Sequence, residues 1–323
     1  MYKLLHMQIG YFDYPTPANE PVLSYAPGTP EKLALKKALA SLKSKTMDIP
    51  MYINGKAVRT GNKIAIHPPH EIKHTLGHFH MGTKKHVDQA ISAALKVRTA
   101  WSNMNWEARA HIFLKAADLL ATKYRFEMNA ATMLGQSKNA YQAEIDAACE
   151  LIDFLRFNVH FLSEIYKQQP ASAPGMHNRL EWRPLEGFVL AVTPFNFTAI
   201  GGNLPTSAAM CGNTVVWKPA NTQIYSAQMF MRILKEAGLP DGVINLIYVD
   251  GPSIGLKIGN DSCINANCRL DSRGFLEIGN CVSISEDVIF LTADHSEELL
   301  ETSNREKKVT IGDYVWIGTR AMI

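Results

Sequence analysis

The segment GFVLAVTPFNFTAIGGNLPTSAAMCGNTVVWKPA, residues 187–220, decides how the middle of the chain folds. Its apolar run at 188–192 contains β-branched residues and is closed by Pro194, which is typical of a buried strand that opens into a loop. Small residues between Gly201 and Gly212 predict a helix packed closely on a sheet, and residues 214–217 predict a second strand. The segment therefore predicts a βαβ unit.

The same pattern continues toward the carboxyl terminus. Residues 226–238 predict an amphipathic helix with a glycine stop, and residues 243–249 predict a third strand before the turn at 250–252. In a parallel sheet of this kind, ligands bind beyond the carboxyl ends of the strands. Asn196 follows the first strand and Lys218 lies at the tip of the second, so we expect a small-molecule site at this edge.

The residues before the central segment predict an arm, a hairpin and a helical region. Five prolines in residues 11–30 predict an extended arm, because proline is excluded from helix interiors. Residues 51–54, which end in Asn-Gly, predict a strand that turns back onto residues 63–67. Residues 84–168 have helical periodicity throughout, and residues 178–184 predict a strand that leads to the central unit.

Several stretches together carry a resemblance to a known family: NEPVLSYAPGTPE at 19–31, QAEIDAACELIDFLRFN at 142–158, TPFNFTAIGGN at 193–203 and WKPA at 217–220. Over about residues 11–255 the chain resembles the Δ1-pyrroline-5-carboxylate (glutamate semialdehyde) dehydrogenases of the aldehyde dehydrogenase superfamily. The resemblance implies a partial aldehyde dehydrogenase fold of the α/β class, with a helical amino-terminal region and half of a Rossmann-like parallel sheet. The implied chemistry is attack of a cysteine thiolate on the aldehyde, hydride transfer to NAD+ and hydrolysis of the thioester.

The resemblance also implies roles for individual residues. The residues implied to contact NAD are Thr193, Pro194, Phe195, Asn196, Lys218 and Gly251. Asn196 would donate its amide to the oxyanion of the aldehyde, a contact typically worth ~3 kcal/mol of barrier. Glu144 and Phe197 would contact the substrate, with Glu144 near the ammonium group of an amino-acid-derived aldehyde. Two alternatives stay open from the residues alone: Glu144 as an ordinary helix-surface glutamate and Asn196 as an ordinary loop asparagine.

The resemblance does not include the cysteine nucleophile that the reaction requires. In the resembled family, the nucleophilic cysteine and the general base lie beyond the point where the resemblance stops. Cys149 and Cys211 lie in helical, apolar surroundings and are predicted to be core residues. We therefore expect the family's reaction to be NAD-dependent oxidation of L-glutamate γ-semialdehyde to glutamate in proline catabolism, and this chain to be inactive in it.

After Gly255 the sequence takes on a six-residue period. Apolar residues recur six apart in three rows: Ile258, Ile264 and Leu270; Ile278, Ile284 and Phe290; Ile311, Ile317 and Ile323. Such a period predicts about three coils of a parallel β-helix. Residues 256–323 resemble the hexapeptide-repeat left-handed β-helix acyltransferases, also in the ending DYVWIGTRAMI. In LTADHSEE the resemblance implies that His295 is the base for transfer from acetyl-CoA; taken alone, His295 is equally a surface loop histidine.

Two domains are thus predicted, residues 1–255 and residues 256–323, which meet without a linker. Three functions stay open: an NAD-dependent dehydrogenase, an acetyl-CoA-dependent O- or N-acetyltransferase formed by the tail, and a non-catalytic chimeric or mis-assembled product with weak NAD binding or self-association. We favour the NAD-dependent dehydrogenase as the family, and a non-catalytic product as the activity of this polypeptide.

Composition limits the partners and the location. Thirty-three basic and 30 acidic residues give a net charge of +3, and no basic patch is interleaved with aromatics, so we expect no nucleic acid partner. No apolar run approaches the roughly 20 residues that span a bilayer, and the first ten residues lack an export signal, so we expect a cytoplasmic protein without a membrane partner.

Cysteine and histidine spacing predicts neither disulfides nor metal. The five cysteines include no CxxC motif, and the histidines between His67 and His80 match no ligand spacing. The expected partners are a small aldehyde and further copies of the chain. The resemblance implies a dimer for the dehydrogenase part and a trimer for the β-helix part.

Overall fold

The computed structural model describes Tyr14 and residues 16–250, 256–258, 262–264, 268–270, 275–295 and 304–323. The chain divides into two compact units. The first is formed by residues 1–80 and 89–248, and the second by residues 81–88 and 249–323. The predicted domain boundary at 255–256 adjoins residues 251–255, which lie outside the described residues.

The first unit contains a five-stranded sheet in the order β3, β2, β8, β7, β6. Its strands are β2 (Met51–Ile53), β3 (Lys56–Val58), β6 (Val189–Val192), β7 (Val215–Lys218) and β8 (Ile244–Leu246). Strands β6, β7 and β8 are parallel, whereas β2 pairs antiparallel with both β8 and β3. The β-α-β-α-β order predicted for the central segment is confirmed.

The hairpin after β2 closes on a different strand from the predicted one. Asn54 and Gly55 have φ values of 50° and 70°, so a two-residue turn joins β2 directly to β3. The predicted partner, β4 (Lys63–Ile66), pairs instead with β5 (Gly77–His80), which pairs in parallel with β1 (Met47–Ile49). The prediction of this pairing is wrong because alternation along a strand indicates its two faces but not its neighbour.

The helical region forms more segments than its periodicity predicts. The helices are α1 (Pro30–Lys43), α2 (Lys84–Ser102), α3 (Trp106–Ala121), α4 (Arg125–Gln136), α5 (Ala140–Ala143), α6 (Leu151–Lys167), α7 (Thr198–Met210) and α8 (Ile224–Ala237). A π-helical segment, Glu144–Glu150, joins α5 to α6. None of the helices formed by the described residues is both long and apolar enough to cross a membrane.

Residues 178–184 form no strand, although their sequence predicts one. Asn178 donates its side-chain amide to Ala171 O at 2.7 Å, and Leu180 N donates to Gln169 Oε1 at 2.9 Å. Local contacts thus satisfy polar groups of this segment. A strand needs a neighbouring strand for its backbone groups, and none pairs with these residues within the described part of the chain.

Two glycines allow α7 to approach its neighbours closely. A Cβ atom on Gly202 would lie 2.7 Å from Leu151 Cδ1 and 2.9 Å from Phe230 Cε1. On Gly201 it would lie 2.4 Å from Gln223 Oε1. All three separations are shorter than real contacts of a Cβ atom, so a larger residue at either position would require the buried side chains or α7 itself to shift. The close packing predicted for this small-residue helix is confirmed.

The second unit contains short parallel strands that stack in register. They are β9 (Leu256–Ile258), β10 (Cys263–Ile264), β11 (Arg269–Leu270), β12 (Leu276–Ile278), β13 (Ser283–Ile284), β14 (Ile289–Phe290), β17 (Val309–Ile311) and β18 (Trp316–Ile317). The hairpin of β15 (Ala293–His295) and β16 (Asn304–Glu306) is antiparallel.

The stacked strands align the predicted apolar rows. Strand β12 lies between β9 and β17, β13 lies between β10 and β18, and β14 pairs with β11. Ile284 is therefore opposite both Ile264 and Ile317, and Phe290 is opposite Leu270. Ile278, Ile284 and Phe290 are buried in one core. The parallel pairing and the register of the strands are thus observed; a parallel β-helix, its left-handed sense and the acyltransferase resemblance stay predictions.

The close packing of α7 generates a stability prediction. We expect Gly202→Ala to lower the free energy of unfolding, because overpacking typically costs about 1–3 kcal/mol and the gain in helix propensity is at most about 1 kcal/mol. Gly135→Ala is the matched control, since its Cβ would meet Thr222 O and Tyr225 Cβ at an ordinary 3.5 Å. Urea denaturation followed by circular dichroism measures both, and equal midpoints for the two variants would contradict the packing argument.

Candidate active site

The predicted site residues lie in the loop between β6 and α7 and at the tip of β7. Thr193 N donates to Lys218 O at 3.1 Å, so the loop begins against the neighbouring strand. Trp217 Nε1 donates to Thr193 Oγ1 at 3.2 Å and holds the buried threonine in place. Phe195 and Asn196 are exposed. The structure thus brings the predicted loop and Lys218 together at the carboxyl edge of the parallel strands.

The turn before α8 holds the backbone of this loop on both sides of Asn196. Thr222 Oγ1 donates to Phe195 O at 2.7 Å, and Gln223 Nε2 donates to Phe197 O at 2.5 Å. The Asn196 side chain is therefore presented to solvent from a constrained backbone. Sequence reasoning missed Thr222 and Gln223 because a threonine and a glutamine in a turn match no motif.

The start of α7 is held by a carboxylate from a distant segment. Asp146 Oδ2 accepts from Thr198 N at 3.0 Å, and Asp146 Oδ1 accepts from Ala199 N at 2.9 Å. Lys138 Nζ lies 2.5 Å from Asp146 Oδ2. A helix amino terminus carries a partial positive charge and is the usual place for the pyrophosphate in a doubly wound sheet. Here the protein's own carboxylate fills that position.

Glu144 has surroundings that differ from the predicted ones. Its side chain is completely buried, and its carboxylate accepts from Tyr25 OH at 2.5 Å, Leu23 N at 2.9 Å and Asn129 Nδ2 at 2.7 Å. Arg125 donates to the same carboxylate. The structure leaves Glu144 no exposed surface and so corrects the alternative of a helix-surface glutamate. A contact with a substrate ammonium group stays a prediction.

The Arg125–Glu144 pair belongs to a network that fixes the amino-terminal arm. Arg125 also pairs with Glu20 and donates to Pro21 O at 2.7 Å, and Arg156 lies 2.6 Å from the other Glu20 oxygen. Two guanidinium groups thus face two carboxylates. Residues 16–26 have no regular secondary structure, as predicted for an extended arm, and this network attaches them to the helices.

The network sets the ionisation of its own groups. Burial raises the pKa of Glu144, but hydrogen bonds from Arg125 and Tyr25 more than offset burial, so the pKa lies below its ordinary value. Burial lowers the pKa of the Arg125 guanidinium, but the hydrogen bond and charge of Glu144 outweigh this, and its pKa is raised. Both groups are therefore charged at neutral pH.

The cysteines of the first unit are not activated thiols. Burial, with the negative charge of Glu144, raises the pKa of Cys149 to about 12. Cys211 follows α7 and has an exposed surface. Its thiol is partly desolvated, and this also raises its pKa. A nucleophilic cysteine instead needs a lowered pKa. For Cys149 the prediction of a core residue is confirmed, whereas Cys211 is exposed, which corrects that prediction.

The remaining predicted site residues are Phe197, at the end of this loop, and Gly251 and His295. Lys138 Nζ lies 4.4 Å from the centre of the Phe197 ring, so part of the ring faces a cation. Gly251 lies outside the described residues, and His295 lies in β15 of the second unit. Their roles toward substrate, NAD and acetyl-CoA stay predictions.

The histidines between residues 67 and 80 make ordinary contacts. His80 is buried and its Nε2 lies 2.8 Å from Asp48 Oδ1, while His67 Nδ1 lies 2.9 Å from His74 O. Hydrogen bonds from His80 and Arg59 lower the pKa of Asp48 to about 2. Among the residues with described positions, no group of histidine, cysteine, aspartate or glutamate is arranged to hold a metal ion.

Comparison with known proteins shows which family the chain resembles. The profile described as "Aldehyde dehydrogenase family" matches residues 57–266, more than half of the chain. The Delta-1-pyrroline-5-carboxylate dehydrogenase of Agaricus bisporus is 54% identical over 242 residues, which cover 74% of this chain and 44% of that relative. The mitochondrial enzyme of the same name from Dictyostelium discoideum is 46% identical over 262 residues, covering 80% of this chain and 47% of that relative.

Solved structures give the same result. The Delta-pyrroline-5-carboxylate dehydrogenase from Mycobacterium tuberculosis bound with NAD is 41% identical and superimposes with a TM-score of 0.75, over 88% of this chain and 57% of that chain. The chain spans slightly less than half the length of the curated relatives it matches.

The buried Glu144 generates a prediction about stability and pH. We expect Glu144→Gln, which keeps the shape but leaves Arg125 without its charged partner, to cost about 3–5 kcal/mol of unfolding free energy at pH 7. Because the folded-state pKa of Glu144 lies below its ordinary value of 4.5, the stabilisation is complete above that pH and is lost as the pH falls toward the folded pKa. The cost of the substitution should therefore shrink below pH 4.5.

Urea titrations at pH 7 and at pH 3.5 measure this difference. Glu164→Gln is the control, since Glu164 pairs with Lys167 on the surface and such pairs are worth at most about 1 kcal/mol. An unfolding midpoint for Glu144→Gln as high as that of Glu164→Gln at pH 7 would contradict the network.

Proposed function

Since the chain belongs to the aldehyde dehydrogenase family, we propose that it forms the NAD+-binding part of a dehydrogenase that oxidises L-glutamate γ-semialdehyde to glutamate in proline catabolism. The carrying observation is the loop at 193–197, exposed at residues 195–197 and set beside Lys218 at the carboxyl edge of β6 and β7. The names of the relatives support the substrate, and the NAD-bound structure of a relative supports the cofactor.

The residues at this edge fit a dinucleotide that avoids the start of α7. Asp146 already fills that helix terminus, so phosphate groups would be repelled there. Lys218, at the tip of β7, would donate to the ribose hydroxyls, and Thr193, Pro194 and Phe195 would line the nicotinamide side. When bound, NAD+ supplies the hydride acceptor. Asn196 would donate its amide to the aldehyde oxygen as negative charge develops there.

This polypeptide lacks an activated thiol among the described residues of its first unit. The raised pKa values of Cys149 and Cys211 leave both as protonated thiols at neutral pH. We therefore propose that the chain binds NAD+ without oxidising the aldehyde. Any thiolate that attacks the aldehyde carbon would come from residues other than these two.

A second candidate function rests on the stacked parallel strands of the second unit. Coils of this kind suit an acetyl-CoA-dependent acetyltransferase, in which His295 would take the proton from an acceptor hydroxyl or amine. Release of free thiol from acetyl-CoA tests this function directly.

Assembly and location are also proposals. We propose self-association of the chain, as a dimer through the dehydrogenase part or a trimer through the β-helix part, and sedimentation velocity tests it. The name of the Dictyostelium discoideum relative places that protein in mitochondria. For this chain the composition leads us to propose the cytoplasm, which cell fractionation tests.

The proposed NAD+ site generates a binding prediction. We expect saturable quenching of the five tryptophans on titration with NAD+, because Trp217 lies directly beneath the loop. Lys218→Ala should weaken binding about tenfold, as expected for loss of a hydrogen bond from a charged donor. Lys115→Ala, an exposed lysine on α3, is the control and should leave the affinity unchanged. Absence of saturable quenching in the unmodified chain would refute the proposed function.

The thiol chemistry generates a prediction about turnover. We expect no NADH formation, measured by absorbance with pyrroline-5-carboxylate as substrate, and no free thiol from acetyl-CoA. An NADH signal abolished by Asn196→Ala would show instead that the polypeptide is a complete catalyst.

A further inference from the structure

Asp146 is a buried carboxylate for which the proposed reaction has no use. Its residue is 2% exposed, and both of its oxygens accept backbone N–H groups of α7, 52 and 53 residues further along the chain. The residue before α7, Phe197, makes no side-chain cap to the helix. The first amide groups of α7 thus depend on a carboxylate from another element, where a helix normally uses its own cap residue.

Lys138 links this cap to the loop that precedes it. Its ammonium group pairs with Asp146, and it also lies 4.4 Å from the centre of the Phe197 ring. Lys138 is 15% exposed, so the contact with Asp146 is little screened by solvent. Phe197 immediately follows Asn196. The two charged side chains therefore act on both the helix start and the residue beside the predicted oxyanion donor.

The other hydrogen bonds around the loop involve carbonyl groups and the Thr198 hydroxyl, not the first amide groups of α7. Thr222 and Gln223 hold the carbonyl groups of Phe195 and Phe197, and these neutral bonds anchor one side of the loop. The amide groups of Thr198 and Ala199, which follow the loop in sequence, have Asp146 as their acceptor. Loss of that acceptor would leave these two buried amide groups without their charged partner and loosen the first turn of α7, because uncapped helix ends fray.

We propose that Asp146, paired with Lys138, is a positioning residue that holds the 193–197 loop in the geometry needed on the nicotinamide side of the site. The inference rests on the proposed function, because it assigns the loop to NAD+. Asp146 itself touches neither cofactor nor substrate. Its predicted effect is confined to the nicotinamide half, since Lys218 is fixed by strand β7.

The test compares two ligands on the full chain. NAD+ contains the nicotinamide, whereas ADP-ribose lacks it but keeps the parts that Lys218 would bind. We expect Asp146→Asn, which keeps one acceptor oxygen but loses the charge, to weaken NAD+ binding about five- to tenfold, the effect of losing one cap. ADP-ribose affinity should change less than twofold. A merely structural role would change both affinities equally.

Asp153→Asn is the matched control. Asp153 also accepts two N–H groups, from Asn19 Nδ2 and Glu20 N, both at 2.7 Å, but these belong to the arm. It should leave both affinities within twofold. If Asp146→Asn fails to fold, the double variant Asp146→Asn with Lys138→Met replaces it, since it leaves no buried ammonium unpaired and is expected to show the same selective loss.

Hydrogen exchange separates failure of this inference from failure of the proposed function. If the unmodified chain binds neither ligand, the proposed function is wrong. In that case the positioning role stands only if Asp146→Asn accelerates amide exchange in a peptide that covers residues 197–204 and Asp153→Asn does not. Unchanged exchange in this peptide, or equal losses for NAD+ and ADP-ribose, would overturn the inference.

Discussion

The carboxylates of Glu144 and Asp146 lie on one short π-helical segment, and both are removed from solvent. A buried charge is tolerated only where charged or N–H partners replace its hydration. Each of these carboxylates therefore requires hydrogen-bond donors from other parts of the chain. Glu144 pairs with Arg125 and accepts a backbone hydrogen bond from the arm, whereas Asp146 pairs with Lys138 and accepts from the start of α7. Three regions distant in sequence are tied together through one segment. π-Helical turns of this kind are frequent at functional sites.

This arrangement explains how an exposed loop can have a defined geometry. The loop after β6 presents Phe195 and Asn196 to solvent, while its carbonyl groups are held by Thr222 and Gln223 and the following amide groups by Asp146. A donor that is oriented before the reaction stabilises developing charge without reorganising at that moment. The same carboxylate keeps the start of α7 from acting as a phosphate site, so a dinucleotide would be bound mainly by the strand tips.

The two units bury their apolar surface in different ways. In the first unit, Gly202 lets α7 pack against Leu151 and Phe230, so helices cover a mixed five-stranded sheet. In the second unit, a six-residue period places Ile284 between Ile264 and Ile317 in paired parallel strands. The first arrangement supplies an edge with loops for a ligand, and the second supplies a repeated core.

Local sequence determined the elements that depend on periodicity and small residues. The β-α-β-α-β order and the rows that include Ile278 and Ile284 follow from periodic apolar patterns, because the periods of strands and helices are fixed by backbone geometry. The close packing at Gly202 follows from small residues, and the extended arm follows from its prolines. The position of Asn196 and Lys218 at one sheet edge follows in the same way. Tertiary structure alone decided which segments meet. The strand expected to pair with β2 pairs elsewhere, Glu144 is buried by Tyr25, 119 residues away, and Asp146 meets α7. No local pattern contains these choices, since the partner of a strand or of a buried charge is selected by the packing of the whole unit.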